Sequence, residues 1–506
     1  MSSTVLPQDA KAPLVLAIDT GTSSTRAILY DATGRAVQGL EAQLPYEIET
    51  GLDGRSTFDA NQLRGLTEDV IDLVCAEIGN QAVAAVGICC FWHSLVGLDE
   101  HGAPITPIFY WGDNRSVEQV DRLRAGLDQH YWRGRTGCVF HSNFWPAKLL
   151  WLQQTDPERF AQVRLWTAPT GVLSHAWLDS EAISLCMASG TGMVDLATGQ
   201  WITTFGDLLR IDPATLPPIV DRDEPARLNA GYAARWPQLA EAQWYPALGD
   251  GACASIGSGS TDATRIGMTL GSSGASRMPV SAPLGAYPPL HDDLWIYRVD
   301  RHTALYGAAI SNGGLMLDWT LALIDDAEGS LREAAAALPP DAHGLTILPF
   351  LSAERSPIWN DRARGVVSGL SLATTRAELL LAATEAVAFR LAETCDAVRA
   401  IAPDDARIIA NGAALLKSDL LLQIVTDTLD APVVALDPNL ESAARGAAVL
   451  ALSVIDPARV PFDPIDGAKV TTPDPVRVAI YRSARARQNA LLDLFQHSGS
   501  PWYTSA

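Results

Sequence analysis

Cysteine, positive charge and long apolar runs are all in short supply in this chain. Only seven cysteines occur in 506 residues, at positions 75, 89, 90, 138, 186, 253 and 395. There is no C-x-x-C pair and no Cys/His cluster with zinc spacing, which leaves a disulfide scaffold and a structural zinc site without support. A reduced, cytoplasmic setting is the default expectation. Basic residues number 37 against 58 acidic ones, a formal charge of −21. That imbalance argues against a nucleic-acid partner, because phosphate attraction needs a basic face. Small anionic ligands stay open, since they need only one local pocket. No uncharged apolar run approaches about 18 residues, so no membrane span is expected. Met1 to Pro13 lacks the basic start and apolar core of a secretion signal.

What the chain does have is apolar content, 48% of its residues, which places it among globular proteins. Its length suggests two or three domains at about 150 residues each. The first ordered element reads as a strand, Leu14–Ile18. A Gly/Thr/Ser turn follows, then a second apolar run at Arg26–Tyr30 and a tight turn at 31–34. Residues 59–78 read as a helix, with Asp59 and Gln62 as its cap and Leu63, Leu66, Val70 and Val74 as its stripe. Residues 82–91 form a continuous apolar run, as in a strand buried on both faces. The grammar then repeats. Strands are predicted at Arg265–Leu270, 294–299, 303–310 and Arg407–Ala410. Helices are predicted from Thr375 to about Arg399 and at Ser418–Leu429. This is a duplicated architecture. The Gly/Ala/Ser-rich segment Gly249–Ser260 is the expected hinge, and the last residues, from about 497, are expected to fray.

Four groups of residues could carry chemistry. Asp19-Thr20-Gly21-Thr22-Ser23-Ser24-Thr25-Arg26 joins a strand end to a small-residue turn. Its backbone N–H groups can form an anion nest, its hydroxyls add donors, and the Asp19 carboxylate can hold Mg²⁺ through water. Arg26 either adds positive charge there or points to solvent. A polar hairpin turn explains the same residues about equally well. Thr269 to Arg277 repeats the design at Gly271-Ser272-Ser273-Gly274. One such loop is weak evidence, but two of one design suggest a nucleotide whose phosphates lie between two lobes. Asp250 sits between Gly249 and Gly251, where a carboxylate can reach a substrate hydroxyl as a general base. It is also an ordinary turn residue. Finally, Trp92-His93 and Trp111-Gly112-Asp113-Asn114-Arg115 could cover and hydrogen-bond a sugar, although each alone is more often structural.

In this order, these segments resemble the FGGY family of carbohydrate kinases, from about residue 14 to about 453. The stretch 344–372 adds Leu348-Pro349-Phe350-Leu351, Glu354-Arg355-Ser356-Pro357 and Arg364-Gly365-Val366-Val367-Ser368-Gly369-Leu370. Within the family the gluconate-kinase branch is the most similar. Trp111 to Ser116 resembles its W-A-D-N-R-S, Met187 to Met193 its S-A-T-G segment, Asn312-Gly313-Gly314 its N-G-G, and Arg277 its G-T-S-G-A-[IV]-R. Three departures stand out. Trp92, after Phe91, replaces a small residue or Met. Gly412-Ala413 replaces a glycine pair. The proline of the Lys148/Trp151 motif comes one position late, at Pro146.

The resemblance implies an α/β fold of two actin-like (ribonuclease H-like) domains, residues 13–253 and 254–490, around a nucleotide and sugar cleft. It implies ATP and Mg²⁺. Thr20, Gly21, Thr22, Ser23, Ser24 and Thr25 would meet the phosphates with Gly271, Ser272, Ser273 and Gly274. Gly314, Gly412 and Ala413 would meet the adenosine, and Asp19 the metal. Asp250 would be the catalytic base. Trp92, His93, Trp111, Asp113, Arg115, Asp250 and Asn312 would meet the sugar, and Arg277 could pair with a sugar-acid carboxylate. The implied reaction is phosphorylation of a terminal hydroxyl, with D-gluconate to 6-phosphogluconate first. A xylulose or other ketose or polyol kinase and a non-catalytic actin-like ATP-binding regulator are the alternatives. The expected partner is a small sugar or sugar acid, with no nucleic acid and no membrane. A homodimer is left open.

Overall fold

The computed structural model describes residues 2–79, 81–325, 329–459 and 461–497. The stretch beyond 497, expected to fray, lies outside them. The strand Leu14–Thr20 is buried at every position, as the apolar run Leu14–Ile18 requires of a strand covered on both faces. It pairs antiparallel with Ser24–Tyr30 and parallel with Val83–Cys90. Ser24–Tyr30 in turn pairs antiparallel with Ala36–Pro45.

The second half repeats these pairings. Arg265–Leu270 runs antiparallel to Gly274–Ser281 and parallel to Arg407–Asn411, and Gly274–Ser281 runs antiparallel to Thr303–Ile310. Each set is the centre of a seven-stranded sheet. In both, the first strand and its hairpin partner present a Gly/Ser/Thr turn at the same end of the sheet. The duplication read from the sequence is therefore a duplication of topology.

The helices form where the caps predicted them. Asp59 accepts from the Gln62 N–H at 2.8 Å and starts Ala60–Ile78, whose Leu63, Val70 and Val74 are buried. Thr375 and Glu378 close a reciprocal capping box on Arg376–Arg399.

The expected hinge is not a hinge. Asp250–Gly257 is a buried helix. It packs on Ser442–Ile455, a helix from the far end of the chain. Small residues permit the close crossing. A β-carbon on Gly257 would lie 1.8 Å from the Ser442 carbonyl oxygen, and one on Gly446 would lie 1.8 Å from the Cys253 carbonyl oxygen. The Gly/Ala/Ser composition that reads as flexibility is a packing device. One hydrophobic core accordingly takes Trp92 and Leu95 from the first half and Trp295, Tyr297 and Ala444 from the second. No helix among the described residues is long and apolar enough to cross a membrane.

Candidate active site

The two small-residue turns and Asp250 meet at one narrow cavity of about 60 Å³. Thr22 enters from the first turn, Ser273 from the second, and Asp250 from the start of its helix. Trp92, His93 and Trp111 also line it, as expected of sugar contacts. Trp92 forms the floor. Its indole N–H donates to the Cys186 carbonyl at 3.1 Å. A β-carbon on Gly249 would stand 1.8 Å from the ring, and one on Gly251 2.8 Å. The glycines around Asp250 therefore make room for the indole, which is how the chain accommodates this departure. One wall is aromatic, with Trp295 and Tyr297 stacked at 4.1 Å.

Charge in the cavity is unbalanced. Burial raises the Asp250 carboxyl pKa, and Arg277 opposes that rise. Burial pushes Arg277 down to about 10, against the pull of Asp250. Arg355 is half-buried, with its guanidinium 4.8 Å from the centre of the Trp111 ring. One face of Trp111 is thus covered by a cation. Arg277 Nε, Arg355 Nε, Asn143 Nδ2 and the Trp359 indole N–H are buried without partners, and all four residues line the cavity. Buried donors of this kind call for acceptors. His93, held in the left-handed region at φ 68°, bonds the Gly190 carbonyl through Nδ1. Burial lowers its pKa to about 3, so the imidazole is neutral.

Asp19 lies behind the first turn. Its Oδ1 accepts from the Cys89 thiol at 3.2 Å, and Arg26 Nε stands 3.6 Å from Oδ2. Arg26 is therefore turned inward, not to solvent. Burial lifts Asp19 to about 6, and Asp250 contributes to the rise. A buried carboxylate whose cation partner, Arg26, is shared with Glu441, and which also feels the charge of Asp250, fits a hard divalent cation. The second turn is stapled to a helix start. The N–H groups of Gly313, Gly314 and Leu315 donate to the carbonyls of Ser272, Gly271 and Ser272 at 3.0, 2.8 and 3.1 Å.

From the second turn a slot of about 460 Å³ runs outward. Leu317, Leu321, Leu380, Ala413 and Ala414 make its apolar walls, and Asp318, Arg332, Lys417 and Ser418 its polar rim. Gly412 is held at φ 90°, and a β-carbon there would lie 2.5 Å from the Leu270 carbonyl oxygen. Only glycine fits that approach. Gly314 and Ala413 both line the slot, which has the shape and polarity for a nucleoside.

Several expected contacts are engaged elsewhere. Asp113 and Arg115 satisfy each other, with Arg115 Nε and Nη2 3.0 and 2.6 Å from the carboxylate, and neither lines the cavity. Asp113 also accepts from the Ser56 N–H at 3.1 Å. Asn312 spends both ends of its amide on the backbone, donating to the Ala353 carbonyl at 3.0 Å and accepting from the Ser352 N–H at 3.1 Å. The Ser24 hydroxyl takes donors from Gln43 and Arg26 at 2.8 and 3.3 Å. The Thr25 hydroxyl faces Thr67 at 3.3 Å. These side chains hold the walls together, while Thr22 and Ser273 are the hydroxyls of the two turns that reach the cavity. Conversely, Asn143, Phe144 and Trp359 were not singled out from the sequence, and Arg355 was noticed only as part of a motif.

Residues 14–257 match the N-terminal domain and residues 269–454 the C-terminal domain of the FGGY family of carbohydrate kinases. The chain belongs to this family; it is a sugar kinase, a phosphotransferase. It is 24% identical to a gluconokinase of Bacillus subtilis over 452 residues, 87% of each chain. It is 32% identical to a xylulose kinase of Streptomyces rubiginosus over 396 residues, 77% of each. Its fold matches that of a xylulose kinase from Lactobacillus acidophilus with a TM-score of 0.86 at 24% identity, over 96% of this chain and 99% of the other. That match and the two family domains bear out the expected two-domain α/β kinase fold.

Proposed function

We propose that this chain transfers the γ-phosphoryl group of ATP to the terminal hydroxyl of a sugar acid, D-gluconate first among them. The single observation that carries the choice of an acid is the cavity's donor excess: two half-buried guanidiniums, each with a buried unpartnered Nε, and the unpartnered Asn143 and Trp359 N–H groups line one cavity with one carboxylate, Asp250. A carboxylate on the substrate would satisfy that excess, and a charge-assisted pair is the strongest partner for it. Arg277 and Arg355 bind and orient the acid end. Trp92, Trp295 and Tyr297 exclude water. His93, being neutral, contributes a hydrogen bond and no charge.

Asp250 orients the terminal hydroxyl and accepts its proton as the new O–P bond forms and the bond to ADP breaks. Its raised affinity for a proton suits it to that task. The turns at 20–25 and 271–274 hold the phosphates, chiefly through backbone N–H groups and the Thr22 and Ser273 hydroxyls. Adenosine lies in the slot beside Gly314, Gly412 and Ala413. Asp19 would hold Mg²⁺, which would supply charge neutralisation for the transferred phosphoryl group, and most of the acceleration comes from positioning. The division into 13–253 and 254–490 puts the first phosphate turn, Trp92 and His93 in one half and the second turn and the adenosine slot in the other, with Arg277, Arg355 and Trp359 of the second half completing the sugar cavity. The seven cysteines, all buried and unpaired, accord with the cytoplasm.

A ketose kinase is the second reading, favoured by the 32% identity to the Streptomyces xylulose kinase. ADP release with Mg-ATP decides between them, against gluconate, other aldonates, xylulose, ribulose and glycerol. Gluconate should give the highest kcat/KM. A higher value for a neutral ketose would overturn the acid reading.

A further inference from the structure

Two segments from opposite halves of the chain close the sugar end of the cavity. The turn 141–144 contributes Asn143 and Phe144, and the strap 353–362 contributes Arg355 and Trp359. The strap is an awkward piece of backbone. Ala353 and Trp359 sit at φ 56° and 49°, a region that costs a non-glycine residue on the order of 1 kcal/mol or more. Glu354 and Asn360 pair backbone to backbone at 2.9 Å in both directions and close the loop on itself. Such a conformation persists only where its surroundings hold it.

What holds it to the opposite half is Asp361. Its side chain is 2% exposed. One carboxylate oxygen accepts from the Ser142 N–H at 3.1 Å and from the Ser142 hydroxyl, and stands 3.2 Å from His141 Nε2. The other faces Arg124 Nη2 at 3.8 Å. Arg124 also donates to the Trp359 carbonyl at 3.3 Å, and Arg362 pairs with Asp121 at 2.8 Å. We infer that Asp361 is a positioning residue for the sugar: it bolts the strap to the 141–144 turn and so sets the separation of Arg355 and Trp359 from Asn143 and Phe144. Asp361 lines neither the cavity nor the nucleotide slot; it borders the wider cleft of about 900 Å³ that shares Thr22, Trp111 and Ser273 with the cavity. This inference rests on the cavity being the sugar site, as proposed above, but not on which sugar it takes.

Two measurements on the full chain test it. Hydrogen exchange without any ligand should be at least tenfold faster in Asp361→Ala at both 139–146 and 353–363, and unchanged at 250–257 and 271–274. Steady-state kinetics should then show a KM split, with whichever sugar of the panel turns over best. The sugar KM should rise tenfold or more, while the ATP KM and kcat stay within threefold. Asp361→Asn, which keeps an acceptor for Ser142, should restore much of the sugar affinity. If the alanine form does not fold, Ser142→Ala, which removes the hydroxyl donor to Asp361, is the test variant, and it should speed exchange at both segments and raise the sugar KM in the same sense. Unchanged exchange at the two segments, or an ATP KM that rises in step with the sugar KM, overturns the inference. So does faster exchange with an unaltered sugar KM. Because exchange needs no sugar, it reads Asp361 even where gluconate proves to be the wrong substrate.

Discussion

The proposed sugar cavity and the proposed nucleotide slot touch the same turn at Gly271–Ser273 yet are built on opposite principles. The cavity is small, buried and charged, with donors outnumbering acceptors. The slot is several times larger, with leucine and alanine walls and charge only at its rim. Discrimination in the cavity comes from leaving buried N–H groups unpaired when the wrong ligand binds, a penalty much larger than that of an imperfect apolar fit. The slot can select only by shape. Damage to one region should therefore leave the other nearly untouched.

The largest test of that separation is Asp250→Ala. It should lower kcat by about 10²–10⁴-fold, the range for losing a general base. Nucleotide affinity, measured by titration, should stay within about threefold. Turnover near the parent rate would remove Asp250 from the chemistry. Next comes Arg277→Met. Losing one hydrogen bond to a charged group costs about 1.5–3 kcal/mol, so the KM for a sugar acid should rise about 10–150-fold. The ATP KM should not follow. An unchanged sugar KM would place the acid end elsewhere.

Gly412→Ala attacks the other region. The added carbon meets the Leu270 carbonyl at 2.5 Å with the backbone at φ 90°. A loss of about 1–3 kcal/mol in stability is expected, with a raised ATP KM and an unaltered sugar KM. Equal effects on both substrates would show that slot and cavity are coupled.

A smaller effect follows from Asp19. Its folded pKa of about 6 lies above the ordinary 3.8. Between those values the folded state holds the proton more tightly, so stability falls as pH rises through that window and stays reduced above it. The penalty at neutral pH is about 3 kcal/mol by that difference. Asp19→Asn, without nucleotide or divalent cation, should melt a few degrees above the parent at pH 7.5, and the gap should close toward pH 4. A gap that does not change with pH would show that Asp19 is already neutralised in the fold. The smallest effect is expected from Ser24→Ala, because that hydroxyl already serves Gln43 and Arg26. The ATP KM should change by less than about twofold. A tenfold change would return the hydroxyl to the phosphates.

Much of the site was legible in the sequence where function depends on a short stretch of chain. Thr22, Asp250 and Ser273 stand in turns or at a helix start, next to glycines, so each is legible locally, and the fold then brings them to one cavity. Asp113 and Arg115 are held off the narrow cavity for a local reason too. A carboxylate and a guanidinium two residues apart can satisfy each other, and here they do. Gly249–Ser260 was misread because small residues serve both flexible joints and close helix crossings, and only the partner helix distinguishes them. Asn143, Arg355 and Trp359 could not be assembled from spacing, since more than 200 residues separate Asn143 from the strap that faces it.

By itself, the sequence determined that this chain is a duplicated α/β protein with two phosphate-type turns and a candidate base between them. Those features are written in periodicity, caps and glycine placement, all of which act over a few residues. Only the tertiary structure decided which donors share a cavity and what charge they leave unanswered. That charge arises from burial, and burial is a property of residues brought together from distant parts of the chain.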